Sequence, residues 1–115
     1  MARIPQTRRS KYYAIKTKVD GITFDSKREA EVYEQLKMLA IARKISLLEV
    51  HPAIELTTCD FVSARVRVGK YEADFSFVEN GQKKWVDVKG FDTALSKWKR
   101  RHVKAQYGID VEVWK

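Results

Sequence analysis

Residues 71–90, YEADFSFVENGQKKWVDVKG, decide the fold that the sequence predicts. Two segments of alternating side-chain character, Tyr71–Val78 and Lys84–Val88, predict two strands. Between them, Asn80 and Gly81 are typical of a type I′ turn, because both residue types tolerate a positive φ. The stretch therefore predicts an antiparallel hairpin whose two-residue turn fixes the register of every facing pair.

This register places two carboxylates opposite each other. Counting back from the turn, Asp74 falls opposite Asp87 on one face of the sheet. Facing carboxylates repel each other unless a cation lies between them or one of them keeps its proton. Lys89 follows Asp87 by two positions and so projects from the same face. The hairpin thus predicts two acids and a lysine at one place.

The flanking sequence predicts the other elements of a small α/β domain over residues 19–115. They are a short hairpin over Ile15–Val19 and Ile22–Phe24, a helix over Ser26–Arg43, strands over Ile45–Val50, Ala53–Leu56 and Phe61–Val68, a helix over Ala94–Tyr107 and a strand over Ile109–Trp114. His51-Pro52 interrupts the first two of these strands, and Gly69-Lys70 predicts a turn. We expect a central mixed sheet of four or five strands, flanked by the two main helices.

The first helix contributes a third carboxylate. Its start, from Ser26 to Glu29, has the S-x-x-E pattern of a capping box. Glu29 also shares the apolar stripe of Tyr33 and Leu36, so it points toward the sheet. Two interpretations follow, a reciprocal cap with Ser26 or a ligand at the site, and Glu31 is a reserve ligand on the more polar side.

The acids and the lysine each have a structural explanation when taken alone. Lys89 could pair with Glu72, and Asp74 could satisfy a turn. Their coincidence on one face favours a metal site, because magnesium binds carboxylate oxygens together with substrate phosphate. A metal that polarises a phosphoryl group, beside a lysine that positions water or neutralises charge, is the arrangement that a nuclease needs.

The charge distribution indicates a nucleic-acid partner, although a soluble basic surface is the alternative. The formal net charge is +8; residues 1–18 carry six lysines and arginines and no acid, and residues 83–104 carry eight against two acids. We expect a flexible basic arm over residues 1–18 that orders on its partner. The expected DNA contacts are Arg8, Arg9, Lys11, Lys97, Lys99, Arg100, Arg101 and Lys104. Trp98 either stacks on the nucleic acid or packs in the core.

Other site classes receive little support. Cys59 is the single cysteine, which excludes an internal disulfide, and it has no evident base partner. His51 and His102 are too few and too far apart in sequence to predict a metal cluster. No apolar run could anchor the chain in a membrane, so we expect a soluble cytoplasmic protein.

These residues carry a resemblance to known proteins. The order Glu29, Asp74 in YEADF and Asp87 to Lys89 in WVDVKG resembles the PD-(D/E)xK nuclease superfamily. More closely, KYYAIKTKVDGITFDSKREAEVYEQLKML, EVHPAIEL, YEADFSFVENGQKKWVDVKG and the late YGI resemble a family of short phage proteins filed as a domain of unknown function. One departure is Ala73, which precedes Asp74 where the superfamily has its name-giving proline.

The resemblance implies a restriction-endonuclease-like core, a mixed β-sheet flanked by α-helices. It implies Mg²⁺ or Mn²⁺ bound by Asp74 and Asp87 with support from Glu29, and water positioning by Lys89. The expected function is a metal-dependent deoxyribonuclease, in the form of an endonuclease serving phage recombination, replication or packaging. A homodimer is expected as its assembly. The alternative is a non-catalytic DNA-binding accessory protein with a nuclease-like fold, and an RNA substrate stays open.

Overall fold

The computed structural model describes residues 15–115. In chain order the elements are β1 (Thr17–Val19), β2 (Ile22–Phe24), α1 (Lys27–Ile41), β3 (Ser46–Val50), β4 (Ala53–Cys59), β5 (Arg65–Glu72), β6 (Phe75–Glu79), β7 (Gln82–Val88), α2 (Ala94–Tyr107) and β8 (Val111–Trp114). Thr17 and Lys18 of the predicted arm belong to β1, and residues 1–14 lie outside the described part of the chain. None of the helices in the described part has both the length and the apolar character to cross a membrane.

A four-stranded mixed sheet forms the centre of the molecule. Its strand order is β3-β6-β7-β8, in which only β7 and β8 run parallel. Parallel neighbours need a long crossover, and α2 supplies it between β7 and β8. The predicted mixed α/β architecture with two main helices is confirmed.

The predicted hairpin register is confirmed for β6 and β7 but not for Asp74 and Asp87, which lie beyond the end of the ladder, where the Asp74 amide donates to the Val86 carbonyl. Asn80 and Gly81 have φ values of 52° and 77°, the left-handed pair that a type I′ turn requires. The ladder runs from Glu79 opposite Gln82 to Phe75 opposite Val86. A second turn with two positive φ values, at Asp20 and Gly21, joins β1 to β2.

The two faces of the central sheet bury separate apolar clusters. One cluster lies under α1 and is built from Phe24, Ala30, Val32, Tyr33, Leu36, Ile45, Phe75, Phe77 and Val86. The other joins α2, β4 and β5 through Ile54, Leu56, Tyr71, Ala73 and Val103, with Trp85 and Val111 packed against it. Successive strand residues point to opposite faces, which is why Trp85 and Val86 lie in different clusters.

The strands β3–β4 and β5–β6 form one long hairpin that bends in the middle. The prediction of a continuous strand over Tyr71–Val78 is wrong, because β5 ends at Glu72 and β6 begins at Phe75. At the bend, the amide of His51 donates to the carbonyl of Asp74, and that of Ala73 donates to the carbonyl of Pro52. Beyond the bend, β4 and β5 leave the central sheet as a two-stranded sheet.

Two other predictions in this region are wrong for related reasons. Gly69 and Lys70 lie inside β5 and not in a turn, and the loop between β4 and β5 covers residues 60–64 instead. Glu72 lies opposite Ala53 in the ladder and not opposite Lys89, because the chain has already left the central sheet there. Gly69, Lys70 and Glu72 pair with β4 and do not extend the β6–β7 hairpin, which the turn at Asn80 and Gly81 had predicted to include them.

Candidate metal centre and active site

The bend of the long hairpin gathers the candidate site. Val50 pairs with Phe75 on one side of the bend and Ala53 pairs with Glu72 on the other, so His51 and Asp74 face each other. His51 has a φ of 56°, in the left-handed region, and Pro52 has no amide hydrogen to continue a ladder. This irregularity turns the His51 and Asp74 side chains toward the start of α1.

Glu29 enters the site from the first turn of α1. Ser26 is the N-cap, and its hydroxyl accepts the backbone N–H of Glu29 at 3.1 Å. The reciprocal half of the capping box does not account for the carboxylate, since Glu29 Oε1 lies 2.9 Å from His51 Nε2. Glu29 is 3% exposed, and this burial raises the pKa of its carboxyl while the His51 hydrogen bond opposes the rise.

Asp74 directly precedes β6, at the point where the ladder with β7 stops. Its backbone N–H donates to Val86, and its Oδ2 accepts the backbone N–H of Val88 at 2.6 Å. The carboxylate thus takes the place of a ladder carbonyl. Burial raises the pKa of Asp74 to about 7; the Val88 hydrogen bond opposes that rise, and the negative charges of Glu29 and Asp87 add to it.

Asp87 projects from β7 to the face that α2 covers. It is 2% exposed, and its carboxylate accepts a hydrogen bond from the hydroxyl of Tyr71. Lys89 Nζ and Arg100 Nη1 lie 3.8 Å and 3.9 Å from Asp87 Oδ2. Burial and the neighbouring Asp87 raise the pKa of the Tyr71 hydroxyl, which keeps it protonated as a donor.

Lys89 lies near Asp87 and also lines the cleft that contains Glu29 and Asp74. The distance from Lys89 to Asp87 confirms that they share a face, as the strand alternation predicts. Lys89 also lines a cleft of about 920 Å³ together with Glu29, Asp74 and Phe91. The cleft thus brings the Lys89 ammonium group to the Glu29 and Asp74 carboxylates, and its wall also carries Asp25, Lys27, Arg28 and Lys115.

The residues that could hold a metal ion are Glu29, His51 and Asp74. One ligand atom from each lies within 4.8 Å of the others. Among the described residues, this is the one cluster of three or more histidine, cysteine, aspartate or glutamate side chains close enough to share a metal ion. Asp87 falls outside it, although its charge reaches Glu29 and Asp74. Two carboxylates and an imidazole fit a divalent cation, because Mg²⁺ and Mn²⁺ favour carboxylate oxygens and imidazole suits several transition metals.

His51 is the site residue that sequence reasoning missed. The prediction that the histidines are too far apart in sequence for a metal cluster overlooked the carboxylates, which lie far from His51 in sequence but next to it in the fold. The available signal was the break at His51-Pro52, which predicts a kink beside an ionisable side chain. His102 lies elsewhere, with its Nε2 bonded to the carbonyl of Thr57.

The predicted DNA-binding residues fall into three groups. Arg8, Arg9 and Lys11 lie outside the described residues. Arg100 turns inward onto Asp92 and Ser96, and Lys104 pairs with Asp110 at 2.7 Å. Lys97 and Arg101 are exposed and Lys99 is half-buried. Trp98 is 67% exposed, so it does not pack in the core.

Comparisons with known proteins give a family for this chain. No curated protein and no solved structure matches it. A family model with the description "Protein of unknown function (DUF1064)" matches residues 9–114, which include the whole candidate site. The match confirms the coarser part of the resemblance, a family of unknown function. The chain belongs to the DUF1064 family.

Proposed function

We propose that this protein is a divalent-metal-dependent deoxyribonuclease that cuts phosphodiester bonds within DNA strands. The observation that carries the proposal is the group of Glu29, His51 and Asp74 at a cleft that Lys89 also lines. Buried carboxylates cost stability, and perturbed groups of this kind concentrate at functional sites. These carboxylates lie beside a lysine in a chain of net positive charge, and this combination suits a phosphodiester substrate.

Each residue has a role that follows from its position. Glu29 and Asp74 would hold Mg²⁺ or Mn²⁺, and His51 would orient the Glu29 carboxylate or add a ligand. Asp87, which the resemblance implies as a further ligand, lies outside this group of ligand atoms and would act on the cation through its charge. When bound, the cation would polarise the phosphoryl group and lower the pKa of the attacking water. Lys89 would position that water and neutralise charge that develops on the phosphate. Tyr71 and Arg100 hold the Asp87 carboxylate next to Lys89.

The resemblance extends the proposal beyond the site. We propose a restriction-endonuclease-like core for the domain, and a role in phage recombination, replication or packaging in the host cytoplasm. A homodimer would give a small chain a second cut or a branched-substrate geometry. The proposed substrate is double-stranded or branched DNA.

The test is cleavage of supercoiled plasmid and of linear and four-way branched DNA in Mg²⁺, Mn²⁺ or EDTA. Wild type, Asp74→Asn and Lys89→Ala are compared with Glu34→Gln, a matched change on the exposed side of α1. We expect metal-dependent cleavage that falls by about 100-fold or more in the two site variants while DNA binding persists. Folded wild type that binds DNA and cuts none of the substrates in either metal would overturn the proposal.

One observation favours the second candidate, a non-catalytic DNA-binding accessory protein. Among residues 15–115, every buried side-chain nitrogen and oxygen has a hydrogen-bond partner, so the site is satisfied by the chain's own residues. This candidate predicts DNA binding that EDTA and Asp74→Asn leave unchanged, and no cleavage. The plasmid assay therefore separates the two.

A further inference from the structure

The outer face of α2 carries an exposed tryptophan among unpaired cations. Trp98 is 67% exposed and Leu95 is 58% exposed, whereas Trp85 and Trp114 are half-buried. At this exposure the Trp98 ring buries only a minor part of its surface against the protein and is open to a partner. Its position is fixed, because Thr93 caps the start of α2 and Gly108 ends it in a left-handed conformation.

The charge around Trp98 is positive and not neutralised by carboxylates. Helix α2 has no acidic residue. In the part of the chain that the structure describes, Arg100 and Lys104 have acidic partners, whereas Lys97, Lys99 and Arg101 have no carboxylate within 4.0 Å. The face thus combines an indole ring with three cations that are free to meet phosphates.

Three clefts lie along α2 and the candidate site, and two of them share a residue. The cleft at the site shares Lys89 with a second cleft of about 340 Å³, in which Lys70, Lys89 and Lys99 outnumber the two acids Glu72 and Asp87. The next cleft along α2, of about 440 Å³, is lined by Trp98 and Arg101. We call the four cations Lys89, Lys70, Lys99 and Arg101 the basic track; it runs from the candidate site to Trp98.

We propose that Trp98 stacks on an unpaired base of a DNA single strand that follows the basic track into the candidate site. In a duplex the base faces are covered by their neighbours, so an indole on a helix surface can reach only an unstacked base. The cations contact phosphates, which positions the strand without reading its sequence. The inference rests on the proposed function for the direction of the strand, and among the proposed substrates it favours branched DNA with an unpaired segment over an intact duplex.

The test measures binding in EDTA, so that cleavage plays no part. Fluorescein-labelled oligothymidylate and a blunt duplex are titrated with wild type, Trp98→Ala, Trp98→Phe and Met38→Ala, the last being an exposed apolar control on α1. We expect Trp98→Ala to weaken oligothymidylate binding about tenfold, the size of one base stack. Duplex binding should stay unchanged, Trp98→Phe should keep most of the affinity, and Met38→Ala should match wild type.

A second readout uses the intrinsic fluorescence of the protein. Oligothymidylate should quench wild-type tryptophan emission, and Trp98→Ala should lose this quenching although Trp85 and Trp114 remain. Equal losses for single strand and duplex, or no loss for either, would overturn the inference. A change of oligomeric state in Trp98→Ala with unchanged DNA binding would also overturn it and would make this face an interface between copies. All of these measurements omit the metal, so cleavage does not affect them. The stacking inference can therefore fail while the proposed nuclease activity holds, and the reverse is also possible.

Discussion

The substitution Asp74→Asn is expected to make the metal-free protein more stable above neutral pH. Burial raises the pKa of Asp74 from 3.8 to about 7, so the folded state holds this proton more tightly than the unfolded state does. A raised carboxyl pKa adds stability that is fully present below 3.8 and is lost as the pH rises to about 7. Burial also raises the pKa of Glu29, which acts in the same direction.

The size of the effect follows from the width of this window. Each pKa unit corresponds to about 1.4 kcal/mol, so the shift from 3.8 to about 7 removes at most about 4 kcal/mol from the free energy of unfolding. Asparagine carries no charge at any of these pH values, and its side-chain oxygen can still accept the Val88 amide. Asp74→Asn should therefore exceed wild type by up to about 4 kcal/mol near pH 8 and match it near pH 4.

Urea unfolding in EDTA, measured at intervals from about pH 4 to about pH 8, checks this prediction. Glu34→Gln is the control, because Glu34 lies on the exposed side of α1 and its removal should leave the pH profile as in wild type. The reasoning is refuted if wild-type stability does not fall across the window, or if Asp74→Asn is no more stable than wild type near pH 8.

The same linkage predicts how a metal acts on stability. A divalent cation competes with the proton on Asp74, so Mg²⁺ should raise the unfolding midpoint of wild type more near pH 8 than near pH 5. Asp74→Asn should lose most of this stabilisation. Equal stabilisation of both proteins by Mg²⁺ would mean that the ion binds elsewhere.

Three smaller changes test individual contacts, and urea or thermal unfolding measures each of them. Tyr71→Phe removes the hydroxyl that Asp87 accepts and should cost about 2 kcal/mol; a cost near zero would mean that Lys89 and Arg100 suffice for Asp87. Ser26→Ala removes the α1 cap and should cost about 1 kcal/mol, whereas Ser26→Gly should cost less. His51→Ala should weaken Mg²⁺ affinity about tenfold, read from the Mg²⁺ dependence of the thermal midpoint, and unchanged affinity would remove His51 from the site.

The parts of the fold that local chemistry determines were predictable from the sequence. The turn at Asn80 and Gly81 needs two positive φ values, and this need fixed the register of β6 and β7 before any tertiary contact was known. The shared face of Asp87 and Lys89 follows from strand alternation alone. The Ser26 hydroxyl and the Glu29 amide form the predicted half of the capping box for the same reason.

The parts that depend on distant partners were not predictable. The segment Tyr71–Val78 alternates like one strand, but Glu72 pairs with Ala53 and Phe75 pairs with Val50 and Val86. Nothing local in the segment shows that its two halves belong to different sheets. The sequence leaves Glu29 two roles, a reciprocal cap or a ligand, and the contact that sets the cap aside comes from His51, which lies 22 positions away.

The break in the long hairpin and the candidate site have one cause. If β5 continued straight into β6, a backbone carbonyl would receive the amide of Val88; at the bend the Asp74 carboxylate receives it instead. The carboxylate is thereby held at the end of the ladder, opposite His51, whose left-handed φ turns the other strand of the same hairpin. Irregularities of this kind re-aim side chains and are common beside active sites. Restoring the regular ladder would therefore remove the site, which is why its residues lie where the strand prediction from the sequence fails.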